Sequence, residues 1–366
     1  MQIDLFDTKI KDPKLLKKLG VSYSGLLKNG QYVLGENLLN FEVNLSEYLN
    51  AKYAVGVNSG TDALQLSLIA SGIKEGDIVI TSAFTYFATI EAIKNAGGKP
   101  YLADIELETL QINLKTIDKN ILKKAKFIIP VHLFGGLVDV KHLLHISKEY
   151  KLKIIEDVAQ SFGTKFKNKF LGNFGECGAF SFYPTKTLGS IGDAGAVTTN
   201  KKSIYENLIK LRNHGHIDRD NFKFSGFNSR LDEIQAIYLN ERLSNIDNEI
   251  KKRQDIGKFY LNKLNDLNKI KFFNNNLKTY NYFPVLVGSR SERDKLRMYL
   301  LKNNIQTSIY YKVPLSDLKF NWILKGGGYE NVNYVKKRIL CLPIYPALNN
   351  SKLSYVVRNI KNFYET

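Results

Sequence analysis

Two cysteines in 366 residues are too few for a disulfide framework, and Cys177 lies in the apolar run CGAFSFY, where a thiol packs like a small hydrophobe. No apolar stretch approaches the about 20 residues needed to cross a bilayer. The opening MQIDLFDTKIKDPKLL has no signal-peptide hydrophobic region, so a cytoplasmic protein that does not insert in membranes is expected. Also missing are an internal repeat, an arginine-rich or aromatic-interleaved basic tract, and any zinc-finger or RNA-recognition signature. The net charge of +18, from 53 Lys plus Arg against 35 Asp plus Glu, is spread along the whole chain. It reads as a lysine-rich solvated surface with a smaller share focused on an anionic small molecule, and not as a nucleic-acid interface. The pairs His142 with His145 and His214 with His216 have no companion cysteine or carboxylate cluster, so no metal is expected.

What is present is an alternation of strand-like and helical runs. Strands are predicted over 53–57, 78–82, 100–104, 126–132, 153–157, 179–183 and 196–199, most with helices between them. That pattern implies an α/β fold with a mainly parallel sheet covered by helices on both faces. From about residue 248 the pattern changes. A long polar helix leads to strands near 269–273 and 282–287, a helix over 292–302, a strand over 306–310 and a last helix from 351. Two units are expected, residues 1–247 with the large sheet and residues 248–366 as a smaller α/β domain. The Asn274–Asn276 run reads as a loop.

Three segments carry chemistry. In YAVGVNSGTDALQLSLIASG a strand turns sharply into a helix at Ser59, Gly60 and Thr61; free amides and the positive end of the helix dipole suit a phosphate there, although Ser-Gly-Thr is also an ordinary helix cap. In KIIEDVAQSFG, Asp157 ends a buried strand and so points to the crevice where such sheets bind ligands. In SFYPTKTLGSIGDAGAVTTN, Lys186 sits off a helix in a loop with Gly189, Gly192 and Gly195, a place where partial burial favours the neutral amine that attacks a carbonyl. A phosphate cradle, a strand-end carboxylate and a loop lysine, in that order, are what pyridoxal phosphate requires.

With the blocks NGQYVLGENLLNFE, GTDAL, PVHLFGG, IIEDVAQSFG, SFYPTKTLGSIGDAGAV, GFNSRLDEIQAIYL and CLPIYPALNN in register, the chain resembles the DegT/DnrJ/EryC1/StrS sugar aminotransferases. The resemblance covers nearly the whole chain and implies the aspartate aminotransferase fold, fold type I. Ala194 departs from it, where a glycine is usual after the acidic residue of the lysine loop. By this resemblance Lys186 is anchor and base, and Asp157 pairs with the ring nitrogen of the cofactor. Gln160 could meet its phenolic oxygen, or could equally be a loop glutamine bonding backbone. Tyr86 matches the aromatic that stacks on the ring, Ser181 a hydroxyl on the phosphate, and Asn228 an asparagine that reaches the phosphate from a neighbouring subunit. A homodimer with shared sites follows. Tyr183, Arg219, Tyr310 and Tyr311 are candidates for the sugar and its diphosphate.

The implied reaction transfers an amino group, with L-glutamate as donor, to a nucleotide-linked keto sugar in the making of surface-polysaccharide amino sugars. Members that aminate C4 tend to read H-x-x-K then I-T-T-G-E-G-G, and those that aminate C3 read [YF]-P-x-K-x-L-G-x-x-G-D-x-G. Tyr183, Pro184, Lys186, Leu188, Gly189, Gly192, Asp193 and Gly195 follow the C3 pattern, which points to a dTDP-3-keto-6-deoxyhexose. The alternatives are a UDP-linked 3-keto-uronate, a 4-keto sugar and, more remotely, a non-enzymatic DNA-binding regulator. A related dehydratase is disfavoured because it carries histidine in place of the lysine.

Overall fold

Short runs rich in β-branched and aromatic residues pair edge to edge in the structure, a computed structural model that describes residues 1–218, 220–273 and 276–365. The strands are β1 (Tyr53–Val57), β2 (Ile78–Ser82), β3 (Lys99–Ala103), β4 (Phe127–Ile129), β5 (Lys153–Asp157), the hairpin β6 (Lys165–Phe166) and β7 (Lys169–Phe170), β8 (Cys177–Ser181), β9 (Gly195–Thr199), β10 (Ile270–Lys271), β11 (Phe283–Val287), β12 (Leu324–Lys325) and β13 (Ile339–Leu342). Eight of them form one sheet in the order β1-β9-β8-β5-β4-β2-β3-β12. Only β9 runs against its neighbours; all other pairings in this sheet are parallel. The expected mainly parallel sheet is therefore present, with strand ends within a residue or two of the predicted ones except that β4 stops at Ile129, short of the predicted end at 132.

Alternate residues of each strand enter different cores, as a pleated ribbon requires. Ile80, Ile128, Ile154 and Phe180 pack in one, while Val79, Phe127, Ile129 and Ile155 pack in the other. The helices are α1 (Pro13–Asn29), α2 (Glu36–Leu49), α3 (Gly60–Ala70), α4 (Phe87–Asn95), α5 (Lys119–Lys124), α6 (Val140–Tyr150), α7 (Lys202–Leu211), α8 (Glu233–Leu243), α9 (Ile246–Leu264), α10 (Arg290–Lys302), α11 (Glu330–Val335) and α12 (Asn350–Glu365). Helices α2, α6 and α8 cover the first face through Phe41, Leu143 and Leu239. Helices α3, α4 and α7 cover the second through Leu66, Ile93 and Leu208. Each such side chain, fully buried, stabilises the fold by roughly 1.5–3 kcal/mol before chain entropy is counted.

Beyond residue 247, β10, β11 and β13 make a separate antiparallel sheet, while β12 returns to the edge of the large one. The predicted strand over 306–310 is not formed. Ser308 pairs with Cys341 and Ile305 with Ile3 as isolated bridges, and the tyrosines that follow turn away: Tyr310 lies against Tyr282, and Tyr311 meets Phe84 edge to face. The alternation of QTSIYY mimics a strand, but tertiary aromatic contacts override it. Asn274 and Asn275 of the expected loop lie outside the described residues. No helix among the described residues is long and apolar enough to cross a membrane.

Candidate active site

The strand order brings the three segments together. Gly195, the first residue of β9, is paired with Val57 on one side and Ser181 on the other, so the carboxyl ends of β1 and β8 meet at one point. Space there is tight enough to demand glycine: a methyl on Gly195 would lie 2.4 Å from the carbonyl oxygen of Ser59, and one on Gly60 would lie 2.5 Å from Ser181 Cβ. Ser59 caps α3 by accepting the N–H of Asp62 at 3.1 Å. As the first helical residues, Gly60 and Thr61 have no carbonyl one turn back to accept their N–H groups. Beside Ser181 they form a small-residue anion cradle at a positive helix end.

Asp157 closes β5 and is 5% exposed. Its carboxylate accepts from Thr89 Oγ1 at 3.1 Å and from the Ala159 N–H at 3.2 Å. Burial pushes its carboxyl above the ordinary aspartate range, against the pull of those hydrogen bonds and of Lys186. Glu156, one residue earlier, faces the other side of the sheet. It accepts from the N–H groups of Gly172 and Phe174 and meets His132 Nε2 at 3.3 Å, which is a structural role.

Lys186 lies in the 182–194 loop, its N–H donating to Tyr183 O at 2.8 Å. Its side chain keeps some surface open to the cavity, but protein crowds the amine, and desolvation brings its pKa down to about 8 despite the opposing pull of Asp157. A substantial neutral fraction at physiological pH makes it a nucleophile and a base.

These groups wall one cavity of about 600 Å³, together with Tyr86, Gln160, Tyr183, Tyr310 and Tyr311. Tyr86 precedes α4, and its ring is 65% exposed. Gln160 takes the backbone-bonding role considered for it, its side-chain carbonyl accepting the Phe134 N–H at 2.9 Å, while its amide donates to the Tyr311 hydroxyl at 2.9 Å. Asn228 is exposed, is bridged to Asn213, and is not among the residues that line this cavity. Arg219 lies outside the described residues. Lining residues not singled out from sequence include Thr89, which holds Asp157, Phe6 and Tyr282. Thr85 and Thr89, one turn apart and 3.3 Å from each other, are a signal that could have been read; Phe6 reaches the site only through tertiary packing on Tyr282. Among the described residues no group of three or more His, Cys, Asp or Glu side chains is placed to hold a metal ion.

The residues fit pyridoxal phosphate. A buried carboxyl that accepts from the neutral donors Thr89 and the Ala159 N–H suits a protonated ring nitrogen, and a glycine cradle at a helix start suits a phosphate.

Comparison with known proteins agrees. The family model described as the DegT/DnrJ/EryC1/StrS aminotransferase family matches residues 21–361. A pleiotropic regulatory protein of Geobacillus stearothermophilus is 31% identical, over 100% of this chain and 99% of the relative. The dTDP-3-amino-3,6-dideoxy-alpha-D-galactopyranose transaminase of Aneurinibacillus thermoaerophilus is 33% identical, over 99% of each chain. Among solved structures, DesV of S. venezuelae in complex with a ketimine intermediate superposes with a TM-score of 0.92 at 31% identity, covering 100% of this chain and 99% of that one. The ntda protein of Bacillus subtilis with bound cofactor PMP gives 0.89 at 27% identity, covering 99% and 88%.

Proposed function

The chain belongs to the DegT/DnrJ/EryC1/StrS aminotransferase family, and we propose that it transfers an amino group from L-glutamate to C3 of a nucleotide-linked keto sugar, a dTDP-3-keto-6-deoxyhexose. The observation that carries the amino-transfer reading is the meeting of Lys186 and Asp157 in one cavity beside the Gly60 cradle. The C3 and dTDP parts rest on the YPTKTLGSIGDAG loop and on likeness to the dTDP-3-amino-sugar transaminase.

When bound, pyridoxal phosphate supplies an aldehyde that condenses with amines and a conjugated ring that accepts the electron pair of a broken C–H bond. Gly60, Thr61 and Ser181 would hold its phosphate, and Tyr86 would offer a flat aromatic face to its ring. Asp157 would keep a proton at the ring nitrogen, and a cationic partner there would return the buried carboxyl to its charged form. Lys186 would be the residue that anchors the cofactor, and its amine, brought toward neutrality by burial, would take the proton from the donor's α-carbon. Gln160 and Tyr311 form a linked polar pair in the cavity wall, and Tyr183 and Tyr310 would present phenols to sugar hydroxyls. Glutamate added to the loaded enzyme without sugar should release one equivalent of 2-oxoglutarate per site. No release with glutamate, alongside turnover with another amino acid, would replace the donor.

We further propose a homodimer with shared sites. Asn228 is exposed away from its own cavity, and α1, α2 and α8 leave Leu16, Val21, Leu27, Leu39, Val43 and Ile234 exposed, apolar surface that a second copy would cover. Mixing the inactive variants Lys186→Ala and Asn228→Asp should restore part of the activity, since a mixed dimer has one site free of both lesions. Absence of any recovery, with mixed dimers demonstrated by mass, would confine the site to one chain. A cytoplasmic location accords with two buried free thiols. The regulatory name of the Geobacillus relative suggests no different chemistry for this cavity, and DNA binding gains no support from a charge that is spread along the chain.

A further inference from the structure

The residue after the reactive lysine is held from two sides. Thr187 is 1% exposed, and Asn281, on the segment leading into β11, is fully buried against it. Asn281 Oδ1 accepts the Thr187 N–H at 3.0 Å and the Thr187 hydroxyl at 3.3 Å. From the opposite side Arg242, at the end of α8, donates to Thr187 O at 3.4 Å and to Gly189 O at 3.3 Å. The guanidinium is fixed in turn: Nε donates to Glu249 Oε1 at 2.9 Å, Nη2 makes a short contact with Glu249 Oε2, and Nη1 donates to the Tyr238 hydroxyl at 3.3 Å. One turn along α9, Arg253 donates to Tyr280 O at 3.4 Å and Ile344 O at 3.1 Å, bracing the backbone beside Asn281. A single face of α9 thus supports both arms.

We propose that Asn281 and Arg242 are positioning residues for Lys186, bracketing Thr187 so that the reactive amine is presented at one place in the cavity. The inference rests on Lys186 being that amine. The need for a bracket is physical: the loop carries Gly189 and Gly192 and has no regular hydrogen-bond ladder, so its backbone is intrinsically free. An amine misplaced by about 1 Å can lose roughly a hundredfold in rate. A planar guanidinium reaching two carbonyls and an amide oxygen receiving two donors remove that freedom without touching the reacting atoms. The bracket also fixes the electrostatic setting of Lys186. Asp157 lies in the main cavity, Asp193 in the same loop, and Asp7, Lys9, Lys11, Asp12, Arg242, Glu249 and Arg253 line a smaller cavity of about 180 Å³ that has Lys186 in its wall.

The test uses the cofactor-free full chain and the loaded enzyme in parallel. Reductive methylation of Lys186, followed by peptide mass spectrometry across pH, reads the amine's midpoint, expected near 8 in the parent protein. In Asn281→Leu and Arg242→Met the midpoint should rise toward the ordinary lysine range. In the loaded enzyme kcat should fall roughly ten- to a hundredfold at unchanged KM, with partial return in Arg242→Lys. A purely structural role would change melting temperature and leave the midpoint alone. Folded variants with the parent midpoint and kcat would overturn the proposal. If Asn281→Leu does not fold, Thr187→Val, which removes only the hydroxyl donor, carries the test: a raised midpoint supports the bracket, and the parent midpoint refutes it. Lys186→Ala separates the two levels. Loss of the visible band there, with parent behaviour in the bracket variants, rejects the bracket alone, whereas a retained band rejects the reading of Lys186.

Discussion

Replacing Lys186 with alanine should abolish the visible absorption band of the cofactor-loaded protein and lower amino transfer by about a thousandfold or more. The size follows from two roles lost together, the covalent anchor and the base that takes the α-proton. Among the described residues no other lysine lines the cavity with Asp157, and burial brings the pKa of Lys186 down to about 8. Spectra and single-turnover rates of the purified variant decide it. A variant that keeps the band and turns over like the parent would show that the imine forms elsewhere.

Asp157→Asn should separate function from stability. The asparagine keeps the shape and can still engage Thr89, but cannot hold a proton at the ring nitrogen, so the rate should fall by roughly a hundredfold or more while cofactor still binds. In the cofactor-free protein the sign reverses. The folded-state pKa of Asp157 is raised, so the folded chain binds this proton more tightly than the unfolded chain does. Any stability from that group is present below the ordinary aspartate pKa and is lost as pH rises through the folded value. Burial therefore disfavours the charged form in the folded chain, and at pH 7 Asp157→Asn should melt no lower than the parent when both lack cofactor. Thermal unfolding of the cofactor-free pair across pH 4 to 8 measures this. A variant markedly less stable than the parent at pH 7 would assign Asp157 a structural part instead.

Much of this site was legible because its parts sit at strand ends. β1, β2 and β5 read directly from their β-branched runs, and a carboxylate or a Ser-Gly-Thr turn at the end of such a run projects into the crevice whatever the rest of the chain does. Gly195 shows where reading stopped. Its place between Val57 and Ser181 depends on β9 inserting in reverse between β1 and β8, a pairing of segments about 140 residues apart by number that no local pattern specifies. The same holds for Phe6 against Tyr282 and for the grip of Asn281 and Arg242 on Thr187, where ordinary residues acquire roles only by long-range packing. The predicted strand over 306–310 erred in the opposite direction: a local alternation was real, but the tyrosines are committed to the cavity.

The most direct test of the account is the position of the new amine. The loaded enzyme would be incubated with glutamate and, in turn, dTDP-3-keto-6-deoxyhexose, the 4-keto isomer and a UDP-3-keto-uronate, and each product located by NMR. The loop that carries Lys186 fixes where the reacting carbon must lie, and a carbonyl one ring position away is displaced by more than about 1 Å, enough to lose roughly a hundredfold in rate. The account predicts an amine at C3 of the dTDP sugar. Preference for the UDP-uronate would keep C3 and change the nucleotide and C6, whereas an amine at C4 would contradict the reading of the lysine loop.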